Sequence, residues 1–211
     1  MATFGEIQTA VSKRLQDANN IAVALPDVAA SINDAIRYWK FRRFYFNEVF
    51  GTITLTAQDP SFVIPSTFLV NAVKDGGFHI QYSGSRYPLT KIEMTEYDNT
   101  FQDNGFGMPR AYAKMADTGY KCYPIPDRDY VVGMHYLKDY VDLVNTSDTN
   151  DFTNNASRLI TLWTTGNIVG EFRQDEKMEG YFRSAAENEY NNLLTLTNKM
   201  NATGKLKINN L

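Results

Sequence analysis

The chain has one cysteine, two histidines and no long apolar run, and each shortage removes a class of protein. A single thiol, Cys122, cannot close an internal disulfide, so a cytosolic folding environment is expected rather than an oxidising one. His79 and His135 form no H-E-x-x-H spacing, and no cysteine pair is present to complete a zinc site. No stretch approaches the roughly 20 apolar residues that cross a bilayer. Met1 to Glu6 lacks the basic-then-apolar order of a secretion signal, so no membrane association is expected. The net charge is −3 and the pI near 5.4, which argues against a free-standing nucleic-acid binder with a broad basic face.

Reactive constellations are equally scarce. There is no G-x-S-x-G, Walker or dinucleotide pattern, and Gly105-Phe106-Gly107 is too short for a phosphate cradle. Cys122 follows Lys121, and a nearby cation lowers a thiol pKa. No local base accompanies it, so a structural thiol is the better reading. Asp127, Asp129, Asp148 and Asp151 lie in polar stretches without the calcium-loop pattern and read as turn-forming carboxylates. No cofactor is expected. An enzyme is not expected either; the catalytic reading left open is a non-local site centred on Cys122 or His135.

What the chain does have is aromatic bulk and clear periodicity. It carries thirteen Phe and thirteen Tyr among 211 residues, with 43% hydrophobic content, enough for one medium domain or a core with an inserted lobe. Phe4, Ile7, Val11 and Leu15 predict a helix over 3–17. Pro26 suits the first turn of a second helix, whose stripe is Val28, Ala29, Ile32, Ala35, Ile36 and Trp39. From Val49 the period falls to two, and strands are predicted at 49–56, 62–64, 70–74, 78–82, 110–115, 120–123 and 130–137. The segment 93–98 reads as a short helix and 142–155 as a polar surface loop. Leu159, Ile160, Trp163, Gly166 and Val169 form one returning helical face. Met178, Phe182, Ala185, Ala186, Tyr190, Leu193 and Met200 form a second. The expected class is α+β. Residues 1–47 and 142–203 make a discontinuous helical core, 48–141 an inserted antiparallel β lobe and 204–211 an extended C-terminal tail.

Two segments keep alternative readings. Arg37, Lys40, Arg42 and Arg43 alternate with Trp39, Phe41, Phe44, Tyr45 and Phe46. They read either as a helix end whose cations complement the dipole over packed aromatics or, in the alternative function, as a nucleic-acid-binding module over 37–46. At the C-terminus, Leu206 and Ile208, alternating with Lys205 and Lys207, read either as a frayed end or as a strand that adds to another subunit's sheet.

The order of motifs carries a resemblance. It runs through Ile32-Asn33-Asp34-Ala35, Ile64-Pro65-Ser66-Thr67-Phe68, Gly107-Met108-Pro109-Arg110-Ala111-Tyr112, Tyr123-Pro124-Ile125-Pro126-Asp127 and Met134-His135-Tyr136, followed by closing helices. The chain resembles the head–tail adaptor (connector) proteins of tailed bacteriophages, in particular the tail accessory factors of short-tailed phages. It departs from that pattern after Tyr136, where Leu137-Lys138-Asp139 replaces an Arg-Pro step, and in lacking a proline before the closing helices. The resemblance implies a structural virion protein, assembled in the bacterial host cytoplasm, in a ring of about twelve copies below the portal. The implied partners are the portal protein, a tail component such as a nozzle or tail fibre protein, further copies of itself, and genomic double-stranded DNA passing through without specific binding. The C-terminal residues Leu206, Ile208 and Leu211 are the implied portal contacts.

Overall fold

The computed structural model describes residues 1–17, 22–69, 77–100, 105–115 and 119–203. The chain divides into two compact units, one of residues 1–47 and 140–211, the other of residues 48–139. The α+β class expected from the sequence is what the structure shows. The tail 204–211, with Leu206, Ile208 and Leu211, lies outside the described residues.

The first unit opens with α1, Phe4–Arg14, started by a capping box. Glu6 N–H donates to the Thr3 hydroxyl and Thr3 N–H to the Glu6 carboxylate, so two otherwise orphaned donors are satisfied together. Helix α2, Leu25–Trp39, has no side-chain cap and starts instead on Pro26. After the second unit come α4 (Asp151–Asn155), α5 (Ser157–Ile168), a π-helical turn (Val169–Arg173) and α6 (Glu176–Thr203). Helix α5 is the hub, packed against α1, α2 and α6. Leu159, Ile160, Leu162 and Ile168 are buried, and so are Thr161, Thr164 and Thr165. Those threonines are tolerated because each hydroxyl has a carbonyl. Thr161 donates to Ser157 O and Thr165 to Thr161 O, both at 2.7 Å, and Thr164 to Ser31 O at 3.5 Å.

Two departures from the sequence reading have local causes. Within the predicted loop 142–155, residues 151–155 form a helical turn with Phe152 and Thr153 buried. Asn150 and Thr153 cap it reciprocally, and the Phe152 ring meets Phe44, Phe46 and Tyr140 edge-on. The two closing helical faces are separated by the π turn and by Gln174, whose φ of 52° is left-handed. Arg173 in that turn donates to the carbonyl of Leu15, occupying an acceptor left over at the end of α1.

The second unit is built from strands. Its larger sheet has the order β1 (Glu48–Leu55), β11 (Tyr130–Lys138), β4 (Phe78–Tyr82), β5 (Ser85–Pro88), with β3 (Phe68–Leu69) also on β11. All of these pairs are antiparallel. The sequence places β4 in a hairpin with 70–74. That stretch lies outside the described residues, and β4 turns through Ser83 and Gly84, both left-handed, into β5. The smaller sheet has the order β2 (Ser61–Val63), β9 (Gly119–Tyr123), β8 (Ala111–Lys114), β6 (Thr90–Ile92). Helix α3 (Met94–Thr100) follows β6, and β7 (Phe106–Gly107) pairs with β10 (Ile125–Pro126). The β6–β8 and β7–β10 pairs are parallel, unlike the rest. Both sheets contribute to one core: Leu55, Phe78, Ile80, Val132 and Met134 from the larger, Phe62, Tyr112, Tyr120 and Cys122 from the smaller.

The other face of the larger sheet carries both histidines of the chain. The Phe50 ring lies 5.8 Å from His79 and 5.1 Å from His135, centroid to centroid, with the Arg86 guanidinium 5.8 Å from the same ring. Gly133 lies beneath: a Cβ there would come within 2.7 Å of His79 Nε2 and Phe50 Cζ, so the rings leave room only for glycine. His79 Nε2 is buried without a hydrogen-bond partner. Burial first, then Arg86 and His135, push the His79 pKa below 6.5. The unfolded chain therefore binds this proton more readily than the folded one, and stability falls as pH drops through the unfolded value towards the lower folded one. Urea midpoints measured between pH 7.5 and 5 should fall with acid, and His79→Phe should flatten that decline. An equal slope in wild type and variant would refute the assignment.

Candidate docking surface

Several long-range polar contacts of the first unit converge on the loop that joins β11 to α4. Asn33 on α2 grips the Leu143 backbone from both sides, its Nδ2 donating to Leu143 O at 3.0 Å and its Oδ1 accepting from Leu143 N at 2.9 Å. This is the bonding pattern of one strand residue with another, supplied by a side chain 110 positions away. One turn on, Arg37 donates through Nε and Nη2 to the two carboxylate oxygens of Asp142, and through Nη1 to Asp34 at 2.5 Å. The Asp142 bond, then its charge, raises the Arg37 pKa further. Such two-point pairing fixes geometry as well as charge.

The rest of the loop is held just as firmly. The Asp148 carboxylate accepts from Val144 N at 2.8 Å and Asn145 N at 2.7 Å, bonds that lower its pKa. At the start of α1, Phe4 N and Gly5 N, which have no acceptor inside the helix, donate to Asp148 O and Thr146 O, both at 2.9 Å. Gly5 is required for this approach, since a Cβ there would sit 2.9 Å from Thr146 Cβ. Tyr140 donates to Asp151 at 2.9 Å; burial, then that bond, raises its pKa.

Leu143 points into the core, whereas its neighbours Val141 and Val144 are 88% and 78% exposed. Farther along the loop, Thr146 and Ser147 meet Thr3, Gly5, Glu6 and Lys13 of α1 and its cap around a groove of about 500 Å³. A rigid loop that displays two aliphatic side chains and lines a shallow groove is suited to binding a macromolecule, because little conformational entropy remains to be lost. Glu6 in the groove accepts from Thr3 N in the capping box.

The residues singled out in the sequence separate into distinct places. Trp39 and Phe44 are buried and Phe46 packs against the same core, so the aromatics at 39, 44 and 46 serve the interior, while Arg37 is neutralised locally. Tyr38, Phe41, Arg42 and Arg43 remain outside. Cys122 is fully buried, donates to Pro60 O at 3.3 Å, and burial, then the charge of Asp59, pushes its thiol up to about 12. His135 lies on the outer sheet face beside Phe50, apart from that core. Asp127 accepts from Tyr130 at 2.6 Å and Asp129 from Ala57 N at 2.8 Å, both at turns. Among the described residues no three His, Cys, Asp or Glu side chains are grouped to hold a metal ion, and no helix is long and apolar enough to cross a membrane. Asn33 stood in the motif as a bare letter; no local signal marks its partner. Val141 and Val144 lie in a stretch whose polarity hides them.

Residues of the α2 motif and the helix end after it, Asn33 and Arg37, thus anchor an exposed loop. The chain belongs to the SU10 adaptor protein family, whose model matches residues 2–204. No curated protein is significantly similar to it. Membership makes it a phage head–tail adaptor with a structural role in the virion, interacting with portal and tail components.

Two measurements follow. Asn33→Ala leaves a partly buried N–H and C=O unpaired and should cost about 1–3 kcal/mol by urea unfolding, with faster proteolysis at 140–148; an unchanged midpoint and cleavage pattern would dismiss the clamp. Cys122 in the native protein should resist a disulfide thiol reagent at pH 8 and react only after denaturation, whereas prompt native labelling would contradict its burial.

Proposed function

We propose that this adaptor forms a ring of about twelve copies below the portal of a short-tailed phage, extending the DNA channel and joining capsid to tail. The observation that carries this reading is the clamped loop of an adaptor-family chain, rigid through Asn33, Arg37 and Asp148, with Val141 and Val144 in solvent. The helical core, residues 1–47 and 142–203, faces the portal and the neighbouring copies. The β lobe, residues 48–141, projects towards the tail and receives a nozzle or tail fibre protein. The tail 204–211 docks on the portal through Leu206, Ile208 and Leu211.

DNA passes through such a ring without specific binding. Each phosphate neutralised by the wall adds counterion-release affinity and hence drag, and a chain of net charge −3 limits that. The nucleic-acid-binding alternative over 37–46 loses ground, since Arg37 is paired with Asp34 and Asp142 and three of its aromatics are interior.

Mass photometry of the purified chain with the portal protein of the same genome tests this. The expected result is a discrete portal complex carrying many copies, with a variant lacking 204–211 keeping its fold by circular dichroism and losing attachment. A chain that ignores the portal overturns the reading; a truncated chain that attaches normally removes the tail from it.

A further inference from the structure

The β unit presents two exposed surfaces on opposite sides. The first is the open face of the larger sheet. Leu55, Ile80, Val132 and Met134 point into the core, so the residues that alternate with them point outward. Phe50 and Val131 are each 40% exposed there, and Thr52, Thr54, Arg86 and His135 are exposed with them. From the Phe50–His135 pair to the row Thr54–Val131–Gln81–Arg86, this face has no carboxylate. Its fixed cation is the Arg86 guanidinium, 5.8 Å from the Phe50 ring centroid, and both imidazoles pack on the same ring. An exposed aromatic with an arginine beside it is the composition enriched in protein interfaces.

The second surface is α3. On the smaller sheet Tyr112, Tyr120 and Cys122 point into the shared core, and Ala113 and Lys121 alternate with them on the far side. Helix α3 covers that far side. Ala113 is wholly buried, the Lys121 ammonium lies 5.7 Å from the Tyr97 ring centroid, and buried Tyr97 donates to Cys122 O at 3.2 Å. The outward side of the helix is acidic. Glu93, just before it, and Glu96 and Asp98 within it are exposed, and residues 93–100 hold no lysine or arginine. The order through the unit is therefore open sheet face, larger sheet, shared core, smaller sheet, α3.

We infer that the open sheet face of one copy docks on α3 of a second copy. The inference rests on the ring reading and adds to it a contact between β units. Because the two surfaces lie back to back on one unit, the contact is heterologous, repeats from copy to copy and closes by rotation. Arg86 meets the α3 carboxylates, a charge match that steers the approach and fixes register, while Phe50 supplies apolar area. A DNA duplex fits this face less well. Tracking its backbone takes a row of phosphate contacts, and a single guanidinium stands in these rows.

The test puts a photo-crosslinker on the open face, Thr54→p-benzoylphenylalanine, in the full chain assembled with portal protein. Irradiation should join two chains, with the crosslinked peptide of the second copy falling in residues 93–100. Arg86→Glu should keep its circular dichroism and melting temperature yet weaken copy-to-copy assembly about tenfold, and adding Glu96→Lys and Asp98→Lys should restore most of it. Complexes that assemble while the probe reaches only the portal, its own chain or nothing overturn this inference and leave the ring standing. A folded Arg86→Glu chain that assembles like the wild type does the same. Salt-sensitive binding of a short DNA duplex that Arg86→Glu abolishes, with assembly intact, overturns it in favour of a nucleic-acid patch. Failure of the wild-type chain to assemble takes down the ring reading, and this contact with it.

Discussion

Helix α5 is the constraint on which the helical unit depends. Helices α1 and α2 each have one apolar stripe, and neither can bury it without a third element. That element arrives only after the chain has run through the whole β unit. Buried over most of its circumference, α5 receives α1 and α2 on one side and α6 on another, its threonine hydroxyls returned to backbone carbonyls. The β unit has its own core and starts and ends on neighbouring strands of one sheet, β1 beside β11. The insertion therefore brings residues 47 and 140 back together. Closing a loop that is already folded costs far less chain entropy than closing a flexible one.

Once α5 is in place, short polar side chains do the finer positioning by standing in for backbone. Asn33 bonds Leu143 as a strand neighbour would, Asn47 holds the turn after α2, Asp148 gathers the N–H groups of its own loop, and Asp129 holds Ala57 N. Each bond immobilises a surface segment. A loop that is already ordered loses little entropy on binding, which suits a structural adaptor. The exposed valines of the 140–148 loop and the exposed Phe41 of the α2 turn are displayed by the same device, a buried or half-buried amide behind them.

The chemistry-bearing side chains have ordinary structural employment. The Cys122 thiol is buried and donates to the Pro60 carbonyl, the carboxylates at 127, 129 and 148 bind hydroxyl or backbone donors, and the histidines pack against one phenylalanine. This agrees with membership of an adaptor family.

Periodicity by itself determined the elements. The stripe through Phe4, Ile7, Val11 and Leu15, the stripe through Val28 to Trp39 and the alternation from Val49 onwards each report which side of a local element must leave water, and that demand is written in neighbouring residues. From it came the α+β class, and the ordered motifs pointed to the adaptor family. Only the tertiary structure decided which surfaces meet those demands. It placed Phe44 and Phe46 inside and Phe41 outside, made a capped helical turn of 151–155, and paired Asn33 with Leu143. An amide that bonds a backbone 110 residues away has the same local sequence as one that faces solvent. Its role exists only once the folded chain has brought α2 beside the loop that follows β11.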